Sequence, residues 1–346
     1  MPGPKFITRN DPSTPAVDQP RVAVYDLGSN SFRVLVAAAA PDGNLAVLAD
    51  AQEIVRLGAD SLREGLIPFA SFQRGLQALH KLRGLADALR PQNTVAVATS
   101  AIREARNGMD FVNSVHAEIG LSVEVLDPVK EATLIYWGAR QALDLSGGRR
   151  VALFDVGGGS TKALVGNADE CQFATSLPMG VLRLRDQWQG NTVGRAEILT
   201  AETRVRAVMQ PSVRHMQKLG FDFVTFTSGT ALALARLAEG DGSTMAPVKG
   251  RSGEGLGRHL VLSLDSLKAL EQRLAAATEA ERAAMPGVGA LRADTLLPGT
   301  VVLRTLLELT GQYAAIVCES ALKEGLVVDY FARHNAGLAA ELPEEV

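Results

Sequence analysis

The sequence predicts an α/β protein of two similarly built domains, and three observations support this prediction. A chain of 346 residues is long enough for about two domains. In each half, three β-prone segments come first, and helical and β-prone segments then alternate. The motif from Asp26 to Arg33 also returns 129 residues later, from Asp155 to Lys162. A duplicated domain is the simplest explanation of this repeat.

Hydrophobic spacing predicts the elements of the first half. Two β-prone runs, 21–27 and 32–36, flank a polar turn that contains glycine, which indicates a hairpin. Apolar residues then recur at every third or fourth position from Phe69 to Leu89, the period of a helix face. The other predicted elements are further β-prone sequence at 45–48 and 53–57, strand 94–98, helix 109–119, strand 121–126 and helix 131–143.

The second half repeats this order. Its predicted elements are strands 151–155, 161–165 and 171–177, helix 196–218, strand 223–226, helix 231–237, strand 314–317 and helix 321–331. Six glycines predict a long loop at 239–257. The predicted domains are 21–134 and 135–335. We expect disordered tails at 1–20, where five prolines occur without an apolar run, and at 336–346.

Composition excludes several classes of function. The net charge of −3 argues against a polybasic protein that coats DNA or RNA. The longest apolar run, from Val34 to Ala40, is too short to cross a membrane. Cys171 and Cys318 are too few for a disulfide framework or a cysteine zinc site, so we expect a cytoplasmic protein.

The repeated turns suggest phosphate binding. A glycine-rich turn lets backbone N–H groups approach an anion closely. An aspartate at the end of the preceding strand, here Asp26 or Asp155, is compatible with bound phosphate when a hard cation such as Mg²⁺ lies between them. Such turns are also common in ordinary hairpins, so a purely structural role remains the alternative for either copy alone. Two matched copies favour binding of a phosphate chain.

Rival signatures are missing from the sequence. It contains no nucleotide-binding P-loop and no Gly-x-Ser-x-Gly elbow of a serine hydrolase, and Lys162 stands where a dinucleotide-binding motif requires glycine. The five histidines are scattered without the spacing of metal ligands.

Several motifs closely resemble those of the exopolyphosphatase and guanosine-pentaphosphate phosphohydrolase (Ppx/GppA) family. They run from about residue 21 to 332 and include the two turns, Ala98 to Asn107, Glu131 to Gly138, Val55 to Gly58, Leu177 to Gly180, Thr227 to Thr230, Arg292 to Asp294 and Leu322 to Gly325. The resemblance implies two ribonuclease-H-like domains of the actin, sugar kinase and Hsp70 superfamily, with a cleft between the domains.

The same resemblance implies roles for individual residues. Glu131 corresponds to the glutamate that activates the attacking water, and Asp26 and Asp155 to Mg²⁺ ligands. Arg103 is expected to grip the phosphate chain, with Arg56 and Arg106 as weaker candidates. The implied phosphate-binding turn residues are Gly28, Ser29, Asn30 and Ser31, together with Gly157, Gly158, Gly159 and Ser160. Without the resemblance, Glu131 reads as a solvated acid in the first turn of a helix.

Two departures from the family pattern bear on function. Lys162 occupies the position of a glutamate in most relatives, so it either binds phosphate directly, with less need for metal, or points away from the site. Lys130 and Thr133 replace an acid and an arginine on either side of Glu131 and Ala132.

The leading functional hypothesis is a Mg²⁺-assisted exopolyphosphatase that releases terminal orthophosphate. Mn²⁺ is the alternative metal, and K⁺ is a candidate stimulating ion. A guanosine pentaphosphate phosphohydrolase is the second hypothesis, and a weakly catalytic protein that binds polyphosphate or an alarmone is the third, because of Lys162. An acetate-kinase-like phosphotransferase is more distant. The family resemblance further implies a homodimer. The chain length predicts a short, less processive form that prefers short polyphosphates or guanosine penta- and tetraphosphates.

Overall fold

The computed structural model describes residues 6–8, 19–39, 44–188, 193–239 and 260–334. These residues divide into two compact units. Unit 1 contains the described residues up to Ala142 and those from Ser320 onward, and unit 2 contains those from Leu143 to Glu319. The division agrees with the duplication that the sequence predicts.

The bounds of the elements are as follows. The strands are β1 Phe6–Thr8, β2 Arg21–Leu27, β3 Ser31–Ala39, β4 Leu45–Ile54, β5 Asn93–Ala98, β6 Val123–Val125, β7 Val151–Val156, β8 Thr161–Gly166, β9 Cys171–Leu177, β10 Phe223–Thr227, β11 Leu260–Ser263 and β12 Ala314–Val317. The helices are α1 Leu57–Glu64, α2 Phe69–Asp87, α3 Ser100–Arg103, α4 Gly108–Ile119, α5 Pro128–Arg140, α6 Val181–Arg185, α7 Arg195–Leu219, α8 Gly229–Glu239, α9 Leu264–Ala276, α10 Glu279–Ala283, α11 Ala293–Thr310 and α12 Leu322–His334.

Each unit is built on one mixed sheet. The strand order is β1-β4-β3-β2-β5-β6 in unit 1 and β11-β12-β10-β7-β8-β9 in unit 2. Three consecutive strands pair antiparallel in each sheet, namely β2-β3-β4 in unit 1 and β7-β8-β9 in unit 2. Two further strands extend each sheet in parallel from the other side of β2 or β7, in the orders β2-β5-β6 and β7-β10-β12. This shared order is that of a ribonuclease-H-like domain, so the predicted fold class is confirmed for each unit.

Apolar strand faces and helices form the core of each unit. In unit 1, Phe32 on β3 and Phe72 on α2 both contact Phe111 on α4. In unit 2, α11 lies deep in the core, and nearly all of its residues are buried. The cores thus fix the strand ends from which the repeated turns extend.

The predicted domain boundary between residues 134 and 135 is wrong. It falls inside α5, a continuous helix. The predicted end of the second domain at residue 335 is also wrong, because α12 belongs to unit 1. Lys323 on α12 shows the reason, since its ammonium group donates to Asp50 on β4 at 2.8 Å.

Some local predictions also need correction. Segments 45–48 and 53–57 were expected as separate β-prone pieces, but β4 runs through Ile54 and Leu57 already begins α1. Part of the predicted N-terminal tail forms β1, which pairs with β4. Helix α5 begins at Pro128 rather than Glu131, because Asp127 caps its N-terminus. Helices α1, α3, α6, α9, α10 and α11 and strand β11 were not predicted.

The rest of the two predicted tails, apart from residues 19 and 20, lies outside the described residues, as does nearly all of the predicted loop at 239–257. Within the described part of the chain, no helix is long and apolar enough to cross a membrane.

Candidate functional site

The first repeated turn joins β2 to β3 in unit 1. The N–H of Gly28 donates to the carbonyl of Ser31 at 3.1 Å and closes the turn. Asp26, at the end of β2, lies directly opposite Arg33 on β3. Residues opposite each other in an antiparallel pair share one face of the sheet. The side chains of Asp26 and Arg33 therefore lie side by side on one face of the sheet, next to the turn.

The segment that leads into α1 fixes this turn. The carbonyl of Asn30 accepts from the N–H groups of Val55 at 3.1 Å and Arg56 at 2.8 Å, and the carbonyl of Ser29 accepts from Gly58 at 2.7 Å. A Cβ on Gly58 would lie 2.7 Å from the Cβ of Ser29, so only glycine allows this approach. These bonds occupy the carbonyls of Ser29 and Asn30 and fix the backbone of the turn.

The turn is linked to the start of α3. The hydroxyls of Ser29 and Ser100, both buried, lie 2.9 Å apart. The N–H of Thr99 donates to the carbonyl of Leu27 at 3.3 Å, which holds the end of β5 beside the end of β2. Helix α3 then carries Arg103, so the turn and this arginine belong to the same edge of the sheet.

Arg103 forms an ion pair with Glu131. Its Nη1 donates to Oε2 of Glu131 at 3.0 Å and to the carbonyl of Leu126 at 2.8 Å. Glu131 is only 3% exposed, so the expectation of a solvated first-turn acid is wrong. A buried carboxylate without a partner would be very costly, and Arg103 compensates its charge and fixes its orientation.

Helix α5 positions Glu131. The side chain of Asp127 accepts from the N–H groups of Val129 at 2.8 Å and Lys130 at 3.4 Å. Pro128 occupies the first helical turn, where its missing N–H costs nothing. Glu131 therefore lies in the first turn of a well-capped helix, near the carboxyl ends of β5 and β6, where ligands bind in open α/β sheets.

The second repeated turn joins β7 to β8 in unit 2 and uses the same backbone design. The N–H of Gly157 donates to the carbonyl of Ser160 at 3.0 Å, and the carbonyls of Gly157 and Gly158 each accept from the N-terminus of α6 at 3.0 Å. A Cβ on Gly180 would lie 2.2 Å from the carbonyl oxygen of Gly158, so glycine is required here as well. The Nε of Arg183 donates to the carbonyl of Gly159 at 2.6 Å.

A cluster of four polar side chains lies on one face beneath this turn. Asp155 lies opposite Lys162 on β8 and beside Thr227 on β10. The hydroxyl of Thr227 donates to Oδ1 of Asp155 at 2.6 Å, and Nζ of Lys162 donates to the hydroxyl of Ser160 at 2.9 Å. Lys162 is 3% exposed. Of the two predicted orientations, the structure shows the one toward the turn.

Two other reactive groups are held in their neutral forms. Burial raises the pKa of Tyr25, which precedes Asp26 on β2, to about 12. Burial also raises the pKa of Cys171 to about 12. Neither group is suited to act as a base or nucleophile near neutral pH.

The structure separates the predicted arginines by their surroundings. Arg103 is bonded to Glu131, whereas Arg106 is exposed and donates to the carbonyl of Glu64 at 3.4 Å. Arg56 adopts a left-handed conformation at the N-cap of α1. Its N–H donates to the carbonyl of Asn30 in the turn at 2.8 Å.

Sequence reasoning missed three contacts around the turns. Ser100 and Arg183 lie within or just after recognised motifs, but they were not assigned to a turn. Thr227 was considered only as part of a strand-to-helix junction, where Ser228 does cap α8 by accepting from the N–H of Ala231 at 3.2 Å. The hydroxyl of Thr227 also donates to Asp155. This contact becomes apparent only from the strand order.

Residues 35–334 match the model of the Ppx/GppA phosphatase family. The chain belongs to this family. Members of the Ppx/GppA family act as phosphatases, and the chain is accordingly a hydrolase of phosphoanhydride bonds.

Named Ppx/GppA relatives and solved structures agree with this assignment. The chain is 28% identical to Exopolyphosphatase 1 of Mycobacterium bovis over 89% of this chain and 87% of that protein. It is 27% identical to the guanosine-5'-triphosphate,3'-diphosphate pyrophosphatase of Vibrio cholerae over 91% of this chain, but spans only 60% of that protein.

Among solved structures, an exopolyphosphatase from Cytophaga hutchinsonii matches with a TM-score of 0.81 at 26% identity, over 92% of this chain and 100% of that one. A Ppx/GppA family member from Aquifex aeolicus matches with a TM-score of 0.73 at 26% identity, over 92% of this chain and 99% of that one.

Proposed function

We propose that the protein releases terminal orthophosphate from inorganic polyphosphate, with Glu131 activating the attacking water. The observation that carries this proposal is the buried ion pair of Glu131 with Arg103, at the same sheet edge as the first repeated turn. An oriented carboxylate beside a phosphate-binding turn is the arrangement that general-base hydrolysis requires.

In the proposed reaction, the carboxylate of Glu131 accepts a proton from water as the water oxygen attacks the terminal phosphorus. A new P–O bond forms, the anhydride P–O bond in line with it breaks, and the shortened polyphosphate leaves with the bonding electron pair. Arg103 keeps Glu131 oriented throughout. Donors of the first turn, in the same unit as Glu131, bind phosphate oxygens and position the chain.

Mg²⁺ is the proposed cofactor, with Mn²⁺ as the alternative and K⁺ as a stimulating ion. Asp26 and Asp155 supply hard carboxylate oxygens at the ends of β2 and β7. This chemistry fits Mg²⁺, which commonly binds one or two carboxylates together with water and phosphate oxygens. When bound, the ion would neutralise charge on the phosphates. Among the described residues, no group of three or more His, Cys, Asp or Glu side chains could hold a metal.

Guanosine pentaphosphate is the second candidate substrate, favoured by the similarity to the Vibrio cholerae pyrophosphatase. Polyphosphate remains the first choice because relatives and a solved structure named exopolyphosphatase match this chain along 87% and 100% of their own lengths. A homodimer in the cytoplasm, without a nucleic-acid or membrane partner, is also proposed.

The test is orthophosphate release from polyphosphates of defined length and from guanosine pentaphosphate. Each substrate is assayed with and without Mg²⁺ or Mn²⁺, and the two substrates then compete in one reaction. We expect Mg²⁺-stimulated release, with polyphosphate giving the higher kcat/KM. Preference for guanosine pentaphosphate would support the second candidate instead.

Glu131→Gln tests the catalytic assignment. We expect kcat to fall by about 10²–10⁴-fold, since the variant keeps the shape of the side chain but loses the base. The matched control is Glu118→Gln, which removes an exposed carboxylate from α4 in the same unit. Unchanged turnover in Glu131→Gln would refute the assignment, and tight polyphosphate binding without turnover by the wild type would indicate a binding protein.

A further inference from the structure

Lys162 is a buried cation beneath a proposed phosphate-binding turn. Side chains alternate along β8, so Ser160 and Lys162 face one way and Thr161 the other. The contacts agree, because the Thr161 hydroxyl donates to the carbonyl of Met179 while Nζ of Lys162 donates to the Ser160 hydroxyl at 2.9 Å. Lys162 is therefore held at the turn and does not extend into solvent.

The position of this lysine needs an explanation, because burying an ammonium group is costly. Long lysine side chains usually keep the charged end in water. Here Asp155 lies opposite on β7 and shares the face with Lys162. One carboxylate and one ammonium group thus balance each other in charge at this turn.

The hydrogen bond to Ser160 has a direct chemical consequence. A hydroxyl group has one proton to donate and accepts through its lone pairs. Since the Ser160 oxygen accepts from a cation, its own proton is directed to another acceptor. A neighbouring positive charge also strengthens the hydroxyl as a donor, because it polarises the O–H bond.

We propose that Lys162 is a positioning residue that aims the Ser160 hydroxyl at a phosphate oxygen and supplies positive charge to the turn of unit 2. This inference rests on the proposed function. Its consequence is that the turn binds polyphosphate without a metal ion, because Lys162 already offsets the charge of Asp155.

The experiment measures the dissociation constant of end-labelled inorganic polyphosphate in buffer that contains EDTA, over a range of salt concentrations. The variants are Lys162→Met, which keeps the length of the side chain, Lys162→Arg, Ser160→Ala and the double variant Lys162→Met/Ser160→Ala. Lys218→Met is the matched control, since it removes an exposed lysine from α7 in the same unit. Circular dichroism and thermal unfolding verify that each variant is folded.

We expect Lys162→Met to weaken metal-free binding about tenfold, as for the loss of a charge-assisted hydrogen bond. Its binding should also depend less steeply on salt, because one fewer cation faces the phosphates. Lys162→Arg should retain the salt dependence of the wild type. Ser160→Ala should add little to Lys162→Met, because both act through the same donor.

Wild-type affinity and salt dependence in a folded Lys162→Met variant would overturn the inference, as would fully additive effects of the two substitutions. These results are distinct from failure of the proposed function. If the wild type releases no phosphate from polyphosphate with Mg²⁺, the proposed function fails. If it does release phosphate and Lys162→Met binds normally, only the role of Lys162 is refuted.

Discussion

The turns of units 1 and 2 share a backbone design but differ in the side chains that surround the aspartate. Asp26 has Val97 beside it on β5, and valine has no polar atom to offer. Asp155 has Thr227 at the matching place on β10, and the threonine hydroxyl donates to it at 2.6 Å. A hydroxyl from the neighbouring parallel strand thus holds Asp155 in unit 2, whereas an apolar side chain occupies the matching place in unit 1.

The polar contacts of unit 1 lead instead toward a buried acid. Ser29 contacts Ser100 at the start of α3, and Arg103 at the end of α3 pairs with Glu131. In unit 2, the comparable polar residues remain directly beneath the turn. The two units therefore surround their turns with different side chains: an ion pair on neighbouring helices in unit 1, and a cluster on the sheet itself in unit 2.

The largest expected effect concerns Arg103, whose role is the clearest difference between the units. We expect Arg103→Met to lower kcat about 100-fold, because it removes the cation that pairs with the buried carboxylate of Glu131. In a Glu131→Gln background the same substitution should cost little more, since the two residues act as one unit. Steady-state kinetics of the four proteins tests this.

The alternative outcome for Arg103 is equally informative. A large rise in KM with unchanged kcat would mean that Arg103 grips the phosphate chain, as the family resemblance implies, rather than positioning Glu131. Arg103→Lys is the conservative variant. It should recover part of kcat only if a single charged donor to Glu131 is sufficient.

The next effect concerns the glycines that let a helix approach each turn. In Gly180→Ala the new Cβ meets backbone at 2.2 Å, whereas in Gly58→Ala it meets the Ser29 Cβ at 2.7 Å. We expect Gly180→Ala to raise the KM for polyphosphate about tenfold and to cost about 1–3 kcal/mol in stability. Gly58→Ala should do less, because its shortest contact, at 2.7 Å, is less severe than the 2.2 Å contact at Gly180.

Gly84→Ala in the exposed part of α2 is the control, since nothing lies within 4 Å of its added Cβ. Equal effects of Gly58→Ala and Gly180→Ala on KM would show that the two turns tolerate displacement equally. That result would contradict the difference drawn between them.

A smaller effect is expected for Thr227→Val, which gives unit 2 the apolar neighbour found in unit 1. Loss of one hydrogen bond to a carboxylate predicts a decrease in kcat/KM of about tenfold or less. The half-saturating concentration of Mg²⁺ should change with it if Asp155 contacts the metal. Unchanged kinetics in a folded Thr227→Val protein would remove this contact from the proposed site.

Much of the local structure could be read from the sequence. Strands β2, β9 and β12 begin and end where they were predicted, since turn residues flank short β-prone runs. Helix α11 was missed because almost all of its residues are buried, which removes the polar face from its pattern. The two turns could be predicted because glycine and polar residues that are adjacent in sequence form them.

The contacts of the site were much less predictable. Glu131 and Arg103 are 28 residues apart, and Thr227 and Asp155 are 72 apart, so only the strand order brings each pair together. The orientation of Lys162 was left open, and its register opposite Asp155 decided it. The residue types thus predicted phosphate chemistry, whereas only the tertiary structure showed which side chains contact each other.

The smallest expected effect lies away from the turns, in a support that unit 2 builds from ion pairs among its helices. Arg304 on α11 contacts Glu202 on α7, Glu271 on α9 and Glu308. Burial alone would raise the pKa of Glu202, but hydrogen bonds from Arg304 and Arg206 outweigh it and lower this pKa. The folded state therefore favours the ionised form of Glu202.

Because the pKa of Glu202 is lower in the folded state, its ionised carboxylate stabilises the protein at pH values above the unfolded-state pKa of about 4.5. This contribution is lost as the pH falls through the folded-state pKa. We therefore expect Glu202→Gln to be less stable than the wild type near pH 7 and the two to converge once the pH has fallen below the folded-state pKa of Glu202. Thermal unfolding across this range, with Glu118→Gln as the control, measures the difference. Polyphosphate hydrolysis by Glu202→Gln at neutral pH should remain within about twofold of the wild-type rate, since the ion pairs lie outside both turns. A difference in stability that stays constant with pH would show that packing, rather than charge, accounts for the effect of Glu202.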